Sequence, residues 1–129
     1  MNKSDYNNIG TKIVEASLSV HRELGPGLLE SVYEVCLIEE LKTRGLTVNS
    51  QVKLPVIYKG IETNKHFIID LLVENEIIVE LKAVDTILPI HEVQLLTYLK
   101  LSNKKLGYLI NFNVPVIKEG IRRKINGYL

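Results

Sequence analysis

The stretch from His66 to Ala83 constrains this chain more than any other. Two apolar runs are joined by Glu74, Asn75 and Glu76, and only Asp70, Glu80 and Lys82 interrupt their faces. Runs of this length around a short polar connection read as two buried strands and a tight turn. Side chains alternate along a strand, so Glu80 and Lys82 share one face. The three-residue connection pairs Val73 with Ile77 and Asp70 with Glu80. Two carboxylates opposed at about 5 Å repel by about 3 kcal/mol at an effective dielectric of about 20. A divalent cation resolves that repulsion. Hard oxygen ligands from neighbouring strands suit Mg²⁺ or Mn²⁺, and Lys82 is placed to hold a water beside the ion. A cross-strand salt bridge uses the same residue types, and the tripeptide Glu-x-Lys does not separate the two readings. With twelve Glu and twelve Lys in 129 residues, chance supplies about one copy. Glu40-Leu41-Lys42, in a helical stretch, is such a copy.

An apolar content of 46% in a chain of this length suits one core, and no linker, repeat or biased tract marks a second unit, so residues 1–129 are expected to form a single domain. No apolar run approaches the roughly 20 residues of a membrane span. The polar start Met-Asn-Lys-Ser-Asp-Tyr-Asn-Asn has no h-region, and a cytoplasmic location is expected. Cys36 is the only cysteine, which excludes an intramolecular disulfide and a thiolate zinc site; its place in a helical apolar stripe makes it core filler. The net charge of +1 gives no general attraction for nucleic acid. Lys100, Lys104, Lys105 and the Arg122-Arg123-Lys124 run read as solvated charges.

Ile9, Ile13, Ala16, Val20 and Leu24 predict a first helix of about 15 residues, closed by Gly25-Pro26-Gly27. Leu29, Val32, Tyr33, Cys36, Leu37 and Leu41 predict a second, with Gly45 as its left-handed cap. An extended stretch from Thr47 to Tyr58 and a turn at Lys59-Gly60 precede the hairpin. Pro89 opens a third helix with Val93, Leu95, Leu96 and Leu99 as its buried set. Gly107 to Phe112 reads as a last strand, before a C-terminal segment of undetermined form. His91, Gln94 and Tyr98 share one stripe of the third helix, and Glu30 stands one turn from Tyr33 on the second. Boundary residues with wet polar tips and a dipole-complementing acid have the same spacings.

Gly27-Leu28-Leu29-Glu30-Ser31-Val32-Tyr33 matches the GxxExxY signature of a group of small bacterial and archaeal proteins. The match continues through Ile69-Asp70-Leu71, Val79-Glu80-Leu81-Lys82-Ala83, Gln94-Leu95-Leu96-Thr97-Tyr98 and Ile110-Asn111-Phe112-Asn113-Val114-Pro115. That group resembles a branch of the PD-(D/E)XK nuclease superfamily. The resemblance implies an α/β fold, a mixed sheet of about four strands flanked by helices, built as helix, three antiparallel strands, helix and strand. It implies Asp70 and Glu80 as metal-binding acids, the main-chain carbonyl of Leu81 as a further ligand, and Glu30 as an additional acid. Lys82 would orient or activate the attacking water, while Gln94 and Tyr98 resemble the QxxxY element of RecB-type and phage lambda-type exonucleases. Ile69 stands where the superfamily name has proline, which leaves the ligand geometry intact. His21 and His66 lie in no matching motif, and His66 is about 13 Å along a strand from Asp70, too far to share an ion. The expected activity is Mg²⁺- or Mn²⁺-dependent hydrolysis of phosphodiester bonds, in DNA rather than RNA. The alternative is a nucleic-acid or protein interaction module that keeps the fold without turnover. The oligomeric state, a homodimer included, stays open.

Overall fold

The computed structural model describes residues 1–129 as helices α1 (Lys3–Leu24) and α2 (Glu30–Thr43), strands β1 (Val48–Tyr58), β2 (Ile61–Val73) and β3 (Ile77–Lys82), helix α3 (Pro89–Ser102), strand β4 (Leu106–Asn111), a 3₁₀ turn (Ile117–Gly120) and strand β5 (Ile121–Ile125). The order of elements agrees with the sequence, with two corrections. The first helix has 22 residues, not about 15. It starts at Lys3, behind an Asn2/Asp5 capping box, six residues before the apolar periodicity becomes visible at Ile9. The C-terminal segment adds a fifth strand to the four expected.

The sheet runs β1-β2-β3-β4-β5. Tight turns join the antiparallel pairs β1–β2 and β2–β3: Lys59 and Gly60 both take positive φ, as do Glu74 and Asn75, the left-handed pairs that match strand twist. β3 and β4 are parallel, from Ile77 opposite Leu106 to Lys82 opposite Asn111, and a parallel pair requires a crossover, which α3 supplies.

Two hydrophobic cores flank the sheet. On one face α1 and α2 bury Ile13, Val20, Tyr33, Leu37 and Leu41 against Leu71, Val79, Tyr108 and Ile110; on the other, α3 buries Leu95, Tyr98 and Leu99 against Leu54, Ile69, Ile78 and Leu109. α2 and α3 bury narrower stripes than their apolar content suggests. Leu29 (73% exposed), Val32 and Val35 on α2, and Val93 on α3, face solvent; Cys36 packs only partly buried against the core. The basic C-terminal run is engaged locally: Arg122 donates to Glu119 O, Arg123 to Asn7 and Tyr108, and Lys124 pairs with Glu92 at 2.7 Å.

At the far end of β4 the chain turns back so closely that Gly120 lies against Asn111. A Cβ on Gly120 would stand 2.1 Å from the Asn111 carbonyl oxygen. Gly120→Ala is therefore expected to destabilise the protein by about 1–3 kcal/mol or more, the cost of overpacking against an unyielding partner. A urea midpoint equal to that of the parent chain would show that this end of the sheet is not so tightly closed.

Candidate metal centre

The β2–β3 ladder runs from Val73 opposite Ile77 to Leu71 opposite Val79 and stops there. This register is the expected one and brings Asp70 level with Glu80. In place of the next rungs, side chains take over: Asp70 N–H donates to Glu80 Oε2 at 3.0 Å, and Leu81 N–H donates to Asp70 Oδ2 at 2.9 Å. Each acid satisfies a main-chain donor of the opposite strand, which holds the splayed ends at a fixed separation.

The break extends to β1. Ser50 pairs with Leu71 and Val52 with Ile69, while Gln51 and Asp70 between them form no rung, and Gln51 has φ +52°. Regular alternation would put Ile69 on the same face as Leu71. Instead Ile69, Val52 and Leu54 pack with α3, whereas Leu71 and Val48 pack with α1 and α2. The two strands exchange faces at Asp70, and that irregularity lets one carboxylate be reached from both layers.

From the α2 side, Glu30, Ser31, Glu34, Gln51, Asp70 and Leu81 enclose a cleft of about 440 Å³. Glu30 is the first residue of α2, and its placement depends on Tyr33. The fully buried Tyr33 ring stacks on Phe112 at 4.6 Å, and its hydroxyl donates to Gly25 O at 2.7 Å while accepting from Leu28 N–H at 3.1 Å. The loop that leads into Glu30 is thus pinned at both ends. Burial pushes the Glu30 carboxyl up; the Asp70 charge adds to that shift, and the Lys82 ammonium opposes it.

From the α3 side, Tyr98 is 6% exposed, and burial, then the charges of Glu80 and Asp70, raise its phenol. Its ring lies 5.2 Å from that of Phe67. Gln94, one turn earlier, is exposed. His91 does not join the acids: its Nδ1 accepts Leu88 N–H at 3.0 Å, at the start of α3. Glu80 is buried among these groups, and its carboxyl is pushed up to about 9, chiefly by burial and then by hydrogen bonding to, and the charge of, Asp70. The expected repulsion is thus relieved, without a cation, by a proton on Glu80 at neutral pH.

Lys82 stands at the end of β3, and the backbone beyond it is held by a residue to which the sequence reading gave no role. Asn111, 1% exposed, accepts from Val84 N–H and Asn113 N–H and donates to Val84 O at 2.8 Å, while Phe112 N–H donates to Lys82 O. Gln51 and Glu34 belong to no apolar pattern either; the one is a polar residue inside β1 and the other stands one turn beyond Glu30 on α2, and hydrophobic periodicity marks neither. His21 lies elsewhere, bonded to Val114 O at 2.8 Å, and His66 borders a separate groove with Lys53 and Lys65.

No three Asp, Glu, His or Cys side chains converge closely enough to hold an ion by themselves. The donor set still fits a hard cation such as Mg²⁺, which keeps several waters and uses one or two carboxylates. Asp70 and Glu80 provide two, and Glu30 stands across the cleft.

A family model of the PD-(D/E)XK nuclease superfamily matches residues 7–124. The chain belongs to that superfamily, whose members are generally nucleases that use divalent metal ions. No curated protein and no solved structure matches it.

The raised Glu80 carboxyl has a linkage consequence in the metal-free protein. Between pH 4.5, its ordinary value, and about 9, the folded state holds a proton that the unfolded state has released. This contribution to stability is complete below the lower value and is lost as pH rises through the upper one. In chelator, the unfolding free energy of the parent chain relative to Glu80→Gln should fall from pH 5 to pH 9. Parallel pH profiles in urea titrations would show that Glu80 is ionised across that range.

Proposed function

We propose that this chain is a divalent-metal-dependent nuclease that hydrolyses phosphodiester bonds in DNA and belongs to the GxxExxY group. The observation that carries the reading is the exchange of two carboxylates for main-chain rungs beside Lys82 and Tyr98, since a sheet given only a structural task would continue its ladder. Residues 1–129 would act as a single nuclease domain.

Asp70, Glu80 and the Leu81 carbonyl would hold Mg²⁺ or Mn²⁺, with Glu30 as a further acid. Held there, the ion would supply positive charge for the scissile phosphate and would lower the pKa of a water. Glu80 must release its proton for the site to load, so cation affinity rises with pH towards 9. The Lys82 ammonium, whose charge acts on both Glu30 and Glu80, donates hydrogen bonds to the attacking water and to the phosphate oxygen on which negative charge grows. Asn111 keeps the strand end that carries it from moving. Gln94, on the exposed side of α3, reaches the nucleic-acid strand. Tyr98, packed behind the acids and against Phe67, sets the distance between that strand and the metal ligands. DNA as substrate, and digestion from its ends, rest on the likeness of Gln94 and Tyr98 to the QxxxY element.

Labelled linear, circular, single-stranded and branched substrates, each with Mg²⁺, Mn²⁺ or chelator, test the reading. Lys82→Ala should lower turnover by about 10² to 10⁴, the range for a positioned proton-transfer or water-orienting group, and keep cation affinity within a few-fold. Gln94→Ala and Tyr98→Phe should lower turnover with little change in cation affinity. Glu40→Gln, which removes only the helical copy and its ion pair with Arg44, should leave turnover intact. Inactivity on every substrate with every metal would replace this reading by that of a binding module. Equal rates on supercoiled and linear DNA would remove end dependence alone.

A further inference from the structure

Gln51 occupies a position that its residue type explains poorly unless its side chain is needed there. It lies within β1 at φ +52°, the left-handed region, where a residue with a Cβ is strained and glycine is not. It stands level with Asp70, between the Ser50–Leu71 and Val52–Ile69 rungs, where its own rung is missing. Its side chain lines the acid cleft with Glu30, Glu34 and Asp70, and its Nε2 donates to Glu34 Oε1 at 2.7 Å. That bond fixes the amide plane. It leaves Oε1, which has no protein donor, as the one uncharged side-chain carbonyl among three carboxylates.

We infer that Gln51 is a positioning residue of the metal centre: tethered by Glu34, its carbonyl oxygen either coordinates the divalent cation or accepts a hydrogen bond from a water between the cation and the cleft wall. The inference rests on the proposed metal site and adds a neutral oxygen donor to it. Such a donor suits the electrostatics. A fourth carboxylate would add to charges that already push Glu30 up, whereas an amide oxygen coordinates without raising that repulsion. The left-handed backbone places the side chain, exposed to solvent, on the wall of the acid cleft at the level of Asp70, where a regular strand residue would continue the ladder.

Calorimetric titration of the full chain with Mn²⁺ alone, beside thermal melts in chelator, tests this. Gln51→Gly relieves the backbone and deletes the amide, so its melting temperature should equal or exceed that of the parent chain while Mn²⁺ affinity falls about tenfold, the scale for loss of a supporting group. Gln51→Leu, similar in size but without polar atoms, should lose affinity to the same degree. Parent-like Mn²⁺ affinity in both variants, with Asp70→Asn unable to bind, would overturn the role of Gln51 and leave the metal site standing. A lowered melting temperature in Gln51→Gly would also overturn it, by showing that the tether to Glu34 serves the fold. Parent-like binding in Asp70→Asn, or no binding by the parent chain, would overturn the metal site itself and this inference with it.

Discussion

Two main-chain amides, those of Asp70 and Leu81, find their acceptors in carboxylates rather than in the neighbouring strand, and the rest of the structure depends on that substitution. It ends the β2–β3 ladder without leaving a donor unsatisfied, so the strands separate at a defined point. Separation admits α2 from one layer and α3 from the other to a single place. It also sets two acids close enough that burial and proximity keep one of them protonated. Fold and site are therefore coupled at one rung of the sheet.

Around that rung the support is polar and remote in sequence. Tyr33 reaches back to the loop before its own helix, and Asn111 reaches across from β4 to the segment after β3. Both are buried, and both spend their hydrogen bonds on main chain. An acid or a lysine at the end of a strand would otherwise sample many positions; here the backbone beneath Glu30 and Lys82 has few alternatives.

The hairpin register was legible because period-two alternation and a three-residue connection leave few pairings for Val73 and Ile77. Helix existence was legible too, whereas the start of α1 was not, since a capping box of Asn2 and Asp5 carries no hydrophobic signal. Val93 and Leu29 were misread as buried because apolar identity does not reveal which side of a helix a sheet will cover. Glu30, Asp70, Lys82 and Tyr98 were found as candidates, and the fold draws their charges together. Gln51 could not be found: the exchange of faces at Asp70 is a property of two strands together, and no periodicity within either strand announces it.

The outer edge of the sheet has a consequence for how this protein meets its surroundings. β1 lacks a neighbour on one side, and its pairing slips between Pro55 and Ile57. Pro55 offers no amide, Lys53 adds a charge, and the irregularity twists the ribbon away from a flat template. A stray extended chain would find no continuous row of donors and acceptors to zip onto. Along Lys53–Ile57, what approaches this edge is met by side chains rather than by a regular main-chain ladder.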